Sequence, residues 1–291
     1  MTSLEVLRTG PLTTVQDLGR PGHAGQGVGR SGAADRSSLR LANRLVGNTE
    51  GAAGLEVTFG GLALRAAGDV LVALTGAPCP ACVDGLPVGH NALLRLRSGQ
   101  RLELGPPRCG LRTYVGVRGG IDVPPVLGSR ATDVLSGLGP PVPGPGTVLP
   151  VGAPSQGLPD VDVAPVADPP AGDLVLRVRA GPRDDWLTPS GRRSLLCTRW
   201  TVTPDSDRVG MRLSGEPLER SRDDELPSEG VVRGALQLPP AGTPTLFLAD
   251  HPLTGGYPVV AVVLDADVDR AGQARPGQRL HLRQALPKEL P

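Results

Sequence analysis

The stretch Asp250-His251-Pro252-Leu253-Thr254-Gly255-Gly256-Tyr257-Pro258 sets a carboxylate, an imidazole, a hydroxyl, two glycines and a phenol side by side. An imidazole next to a carboxylate can move protons, and backbone amides of a glycine turn can face an oxygen on which charge develops. Four further clusters mix charge and hydroxyl: Gln16-Asp17-Leu18-Gly19-Arg20, Gly128-Ser129-Arg130-Ala131-Thr132-Asp133, Asp205-Ser206-Asp207-Arg208 and Pro227-Ser228-Glu229-Gly230. Three of these carry arginine, whose planar fork suits a small anionic or amide substrate. Taken singly, each cluster reads first as a solvated turn.

Elements that could hold such turns are plain in the pattern. Apolar runs at 245–249 and 259–264 bracket the Asp250–Pro258 corner, as two buried strands joined by a loop would. Short apolar or alternating runs recur at 62–64, 70–74, 93–96, 101–104, 113–117, 174–179, 201–203 and 279–283, cut by glycine and proline. That spacing predicts barrels or sandwiches. One helix is expected over 35–46, with Ser31 or Asp35 as cap, Leu39, Ala42, Leu45 and Val46 on one face, and Gly47-Asn48 as stop. Short helical pieces are expected over 184–187 and 190–196.

The chain weaves a weak repeat through these elements. Leu4–Pro11 resembles Val175–Pro182, Val28–Gly32 resembles Val209–Gly215, Thr75–Pro78 echoes Thr254–Pro258, and Gly99-Gln100-Arg101-Leu102-Glu103-Leu104 matches Gly277-Gln278-Arg279-Leu280-His281-Leu282. Similar order and similar offset predict two related β domains, over 1–138 and 173–291. A Pro/Gly-rich connector is expected over 139–172.

Composition narrows the function classes. Aromatics are 2% of 291 residues, which leaves no stacking platform for single-stranded nucleic acid, and a net charge of +1 leaves no basic patch for phosphate backbones. No apolar run reaches membrane-spanning length and no secretory leader is legible, so a cytoplasmic location with reduced cysteines is expected. Gly27-Val28-Gly29-Arg30-Ser31-Gly32 fits a dinucleotide fingerprint in letters only, because loop rather than strand precedes it. Cys79-Pro80-Ala81-Cys82 stands alone, and neither it nor His23, His90, His251 and His281 shows metal-ligand pairing; no metal is expected.

In order along almost the whole chain, Thr14–Gly22, Ser31–Asp35, Ala42–Asn48, Leu55–Thr58, Gly128–Asp133, Asp207–Leu213, Ser228–Gly230 and Thr254–Pro258 resemble the biotin-dependent carboxyltransferase family. That family includes the C subunit of 5-oxoprolinase, proteins called allophanate hydrolase subunit 2, and the carboxyltransferase part of urea carboxylase. The resemblance implies two cyclophilin-like β-barrel domains with few short helices. It also implies a homologous B subunit as partner and, in 5-oxoprolinase, an A subunit too. The expected activity is opening of 5-oxoproline to L-glutamate, with ATP used by the complex; the chain carries neither a biotin-attachment Met-Lys-Met nor an ATP-grasp signature. Positions carried over by motif are Asp17, Arg20, Ser31, Asp35, Asn43, Arg130, Asp133, Arg208, Arg212, Gln237, Asp250, Thr254 and Tyr257. Under this reading Asp250, His251 and Tyr257 are the expected catalytic groups. Asp17, Arg20, Ser31, Asn43, Arg130, Arg208, Arg212, Gln237, Thr254, Gly255 and Gly256 are the expected substrate contacts. The chain departs from the common Asp-x-Gln-Thr-Thr-Gly-Gly-Tyr by Pro252-Leu253, which touches substrate identity more than fold. Two other readings stand beside it: carboxyl transfer from a carboxybiotin borne by another chain, and a non-catalytic regulator that binds the B subunit, in the manner of an antagonist of a kinase inhibitor.

Overall fold

In the computed structural model, which describes residues 2–161 and 163–289, strands far outnumber helices. The chain divides into two units. One holds the residues up to Arg20, Ser31–Asp133 and Gly137–Pro169; the other holds Pro21–Arg30, Val134–Ser136 and the chain from Pro170 onward.

The first unit contains β1 (Ser3–Thr9), β2 (Leu12–Gln16), α1 (Arg36–Leu45), β3 (Gly54–Thr58), β4 (Leu62–Ala67), β5 (Val70–Gly76), β6 (Ala81–Val83), β7 (Leu86–Pro87), β8 (Leu93–Leu96), β9 (Arg101–Leu104), β10 (Arg112–Val117) and β11 (Val148–Pro150). They form two sheets, ordered β11-β1-β4-β9-β6-β7 and β2-β3-β10-β5-β8. Strand alternation drives one face of each sheet inward, so Leu4, Val6, Leu64 and Leu102 from the first sheet share a core with Leu55, Val72, Leu74 and Val115 from the second. Helix α1 lies on β10 and β5, where Leu39 and Ala42 pack with Tyr114. A Cβ at Gly116 would sit 2.8 Å from the Ala42 backbone, so a glycine on β10 is what lets the helix approach. Asp35 caps α1, accepting from the Ser38 amide at 3.0 Å, and Gly47 follows in the left-handed region at φ 66°. The Pro/Gly-rich stretch expected as a connector is not bare. It supplies β11 to the edge of the first sheet, and the Ala164 amide donates to Asn91 O at 2.8 Å.

The second unit contains β12 (Leu174–Ala180), α2 (Pro189–Cys197), β13 (Arg199–Val202), β14 (Gly210–Ser214), β15 (Glu229–Gly230), β16 (Ala235–Gln237), β17 (Thr245–Phe247), β18 (Thr254–Gly255), β19 (Val259–Val263), α3 (Asp265–Ala271) and β20 (Arg279–Gln284). Seven of these strands close a barrel in the order β12-β19-β16-β17-β14-β13-β20, the parallel pairing of Leu174 with Leu280 sealing it. Leu176, Trp200, Leu213, Leu236, Leu246 and Leu280 fill it. Strands β15 and β18 form a separate two-stranded ribbon. Helix α2 starts as its sequence dictates, with Pro189 in the first turn and Thr188 capping the Gly191 amide at 3.0 Å.

At one of the four matched segments the two halves share a hydrogen-bonded turn. Gly99 and Gly277 share a left-handed φ, 86° and 84°. In each half the next residue, Gln100 or Gln278, turns its side-chain oxygen back onto an amide three residues earlier, Arg97 at 2.9 Å and Arg275 at 3.1 Å. The echo between Thr75–Pro78 and Thr254–Pro258 does not extend to structure. Thr75 and Gly76 end a full sheet strand, whereas Thr254 and Gly255 belong to the small ribbon.

Candidate functional site

The residues singled out by sequence fall into two groups, one in each unit. In the first unit, the chain leaves β2 at Gln16 and turns through Asp17. Both carboxylate oxygens of Asp17 are occupied: Oδ1 accepts from the Gly19 amide and the Ser129 hydroxyl, each at 2.7 Å, and Oδ2 accepts from the Arg130 amide at 2.6 Å. Asp17 therefore fastens the Ser129–Asp133 loop to the β2 exit. Gln16 and Arg20 hold the same loop by its carbonyls, Gln16 Nε2 donating to Thr132 O at 2.8 Å and Arg20 Nη2 to Ala131 O. Arg20 is fully buried, 4.0 Å from Asp133, and its Nε and Nη1 meet no hydrogen-bond acceptor; Gln16 Oε1 likewise has none. Ser31, at φ 54°, points its hydroxyl 3.5 Å from Thr132 O.

Two expected substrate contacts have their polar atoms engaged within the protein. Asn43 sits inside α1 and donates to Glu50 O and Ala52 O, bracing the loop after the helix. The Arg130 guanidinium is spent on Val123 O and Asp122, both at 2.7 Å. Beside them lies a network that joins the Ser31–Asp35 and Leu55–Thr58 motifs through Tyr114, a residue the motifs did not include. Buried Glu56 accepts from the Ala34 amide at 2.9 Å and the Tyr114 hydroxyl at 2.7 Å, and that hydroxyl accepts from the Asp35 amide at 2.8 Å. Burial, reinforced by the Glu56 and Asp35 charges, pushes the Tyr114 phenol well above its usual value, so it stays a neutral donor.

In the second unit, Arg208 and Asp250 form a forked pair, Nε to Oδ2 at 2.9 Å and Nη2 to Oδ1 at 3.1 Å, with side chains 1% and 0% exposed. The Val134 amide adds a bond to Asp250 Oδ2 at 3.1 Å. A carboxylate so engaged is a poor proton shuttle. His251 is better placed: Nδ1 donates to Pro252 O at 2.7 Å, which makes Nε2 the accepting nitrogen of the neutral ring. Arg212 stands on the outer side of β14, exposed.

Past Leu253 the chain pairs briefly, Gly230 with Thr254 and Glu229 with Gly255, then turns. Arg183 clamps Glu229, its Nε at 3.0 Å, and lowers the Glu229 carboxyl below its ordinary value. Gln237, buried on β16, donates to Tyr257 O at 3.0 Å. Tyr257 is 47% exposed, and with Gly256 it borders an open cavity of about 730 Å³ whose other walls include Trp186, Arg220, Leu226 and Pro258. The guanidinium carbons of Arg220 and Arg222 lie 5.7 and 5.1 Å from the Trp186 ring centroid. Sequence reasoning passed over Trp186 and Arg220. The only signal was the charged run Glu219-Arg220-Ser221-Arg222-Asp223-Asp224-Glu225, which reads as a solvated surface.

Among the described residues no three His, Cys, Asp or Glu side chains gather as metal ligands would, and no helix is long and apolar enough to cross a membrane. Cys79 and Cys82 are free thiols; burial raises the Cys79 thiol above its usual value, and Cys82 Sγ lies 3.9 Å from Glu103.

Known proteins frame these observations. The chain is 37% identical to the 5-oxoprolinase C subunit of Escherichia coli, over 98% of this chain and 92% of that one, and 32% identical to the corresponding C subunit of Haemophilus influenzae. It is 30% identical to urea amidolyase of Saccharomyces cerevisiae, covering 96% of this chain but 16% of that protein. The crystal structure of TTHA0988 superposes with a TM-score of 0.89 at 34% identity; this chain spans 98% of its own length and just over half, 56%, of that chain. Urea amidolyase of K. lactis superposes at 0.87 with 29% identity, over 18% of its length. Residues 26–284 match the model of the carboxyltransferase domain, subdomains A and B, and the chain belongs to that family.

Proposed function

We propose that this chain is the C subunit of a 5-oxoprolinase, acting with A and B homologues to open 5-oxoproline to L-glutamate while the assembly consumes ATP. The observation that carries the reading is co-extension. The chain and the E. coli C subunit match almost end to end, whereas the match to the yeast urea amidolyase occupies a sixth of a much longer protein.

Within this reading His251 moves protons and Asp250 organises, because the Asp250 carboxylate is committed to Arg208. Thr254, Gly256 and Tyr257 contact substrate from the turn, and Arg220, whose Nε lies 4.0 Å from Asp223, brings a cation to the cavity wall. Arg20, with two unspent N–H donors, is a second place for a carboxylate or amide oxygen. No ATP-binding motif is legible in the chain, so the nucleotide belongs to the assembly. We place the protein in the cytoplasm.

The chain mixed with its A and B homologues is expected to release glutamate from 5-oxoproline with stoichiometric ATP hydrolysis, and no glutamate from the full mixture would overturn the reading. His251→Ala in that mixture is expected to lower kcat by roughly 10²–10⁴-fold, the usual worth of a positioned acid–base group. A second reading, carboxyl transfer, is favoured by the family itself and by the superposition on urea amidolyase. It predicts activity that needs biotin on a partner and is abolished by avidin.

A further inference from the structure

We propose that the backbone N–H groups of Gly256 and Tyr257 are the oxyanion-binding donors of this chain, positioned by Gln237, and that they take the carbonyl oxygen of a small amide. The identity of that amide, 5-oxoproline, rests on the reading above; the donor pair rests on geometry.

Gly255, the residue that sequence would pair with Gly256 for this role, stands opposite Glu229 in the ribbon. After Tyr257 comes Pro258, which has no N–H. Between them, the amides of Gly256 and Tyr257 donate to no protein group among the described residues, and the Tyr257 hydroxyl has no protein partner either. Both residues border the 730 Å³ cavity. Consecutive amides left open at a turn are a recurrent way to hold an anionic oxygen.

What distinguishes this turn from a loose surface loop is how firmly it is fastened. Before it lies the ribbon, with Glu229 gripped by Arg183. After it, Tyr257 O accepts from Gln237 Nε2 at 3.0 Å and Pro258 O accepts from the Leu238 amide at 2.9 Å. Gln237 sits on a barrel strand paired on both sides, by β17 and β19. Its amide fills the space where a Gly255 side chain would be: a Cβ there would lie 2.5 Å from Nε2. Gln237 thus fixes the peptide planes that aim the two N–H groups. Three carboxylates line the cavity: Asp224 pairs with Arg222 at 2.9 Å and Asp223 lies 4.0 Å from Arg220, which leaves Glu225 as the charge against which the two amides work. In the step served, water oxygen bonds to the lactam carbon and the C=O π pair moves to the oxygen held by the amides. That pair then returns as the C–N bond breaks, and the nitrogen keeps the bonding pair and takes the proton that water releases. Product is the open amino acid, atom for atom lactam plus water.

The test pairs three variants in the assembled complex. Gln237→Glu removes the donor to Tyr257 O, and Gly255→Ala drives a methyl into Gln237. Each is expected to lower kcat on the order of a hundredfold with KM nearly unchanged, the signature of a lost oxyanion donor. Gly230→Ala is the control: it stands in the same ribbon and a Cβ there meets nothing within 4 Å, so kcat should stay within about twofold of wild type. The second readout needs no turnover. In the isolated chain, 5-oxoproline should shift the Gly256 and Tyr257 amide proton resonances downfield in wild type and Gly230→Ala but not in Gln237→Glu. Wild-type kcat in both damaging variants, or silent amides in the titration, overturns the proposal. Shifted amides in a complex that never releases glutamate would leave the donor pair standing and remove the reaction assigned to it.

Discussion

Arg208 and Asp250 lie out of solvent, so their value is set by what happens when one is removed. An unmatched buried charge is expensive, and Asp250→Ala is expected to cost about 3–5 kcal/mol in urea unfolding. Asp122→Ala removes an ion pair of similar length, Arg130 to Asp122 at 2.7 Å, but with side chains 36% and 55% exposed. Solvent screens that pair, and a loss of no more than about 1 kcal/mol is expected. Equal losses for the two would mean that the buried fork is not the organiser of the Asp250 corner. Neither pairing was legible in the sequence: Arg208 and Asp250 are 42 residues apart, and residue type alone does not say which arginine meets which aspartate. The same ignorance made Arg130, Arg208 and Arg212 look alike as carboxylate readers, although they differ widely in what they already hold.

At the scale of elements, helix α1 shows how much a local pattern can reveal. Its apolar face, its Asp35 cap and its Gly47 stop all lie within the segment, so its limits could be read to about a residue. Its seat could not, because Gly116 is far away in sequence. Gly116→Val is expected to push α1 off β10 and cost about 1–3 kcal/mol or more by overpacking, measured as a lowered melting temperature. Helix α3 was missed altogether, since Asp265-Ala-Asp-Val-Asp-Arg-Ala follows β19 without a breaker and its carboxylates look solvated. Their partners lie elsewhere: Asp267 takes Arg177 of β12 at 2.8 Å through each oxygen, and Asp265 and Asp269 take Arg233 at 2.6 Å. Burial alone would raise the Asp267 carboxyl, but the Arg177 bonds outweigh it and hold it below its ordinary 3.8. Near the C-terminus Arg283 and the Leu286 amide hold Glu289 down to about 2, against an ordinary 4.5. Carboxyls depressed in the folded state stabilise it above their ordinary values and lose that contribution as pH falls through the folded ones. Stability should therefore decline from about pH 4.5 toward pH 2, and Asp267→Asn should flatten that part of the curve. An unchanged slope in the variant would assign the acid response to other carboxyls.

The whole molecule is mainly β because its glycines and prolines chop a Val/Leu/Ala-rich chain into runs too short for helices, and that much was plain before any coordinates. The closure of a barrel by parallel β12 and β20 was not, because parallel pairing joins segments about a hundred residues apart. On the proposed reading of an assembly that consumes ATP, the isolated protein is expected to hydrolyse ATP at background rate and to do so measurably only with its A and B homologues. Steady ATP hydrolysis by the chain alone would move the nucleotide site into this protein. The turn at Gly99-Gln100, repeated at Gly277-Gln278, has a consequence of its own. Two segments keep the same left-handed glycine and the same glutamine clasp, and differ in the six residues from that glycine onward only at Glu103 and His281. Each copy of this knot starts a strand, β9 in one unit and β20 in the other. The same Gln→Ala change therefore removes the same bond in either unit, and the loss of stability it causes can be compared directly between them.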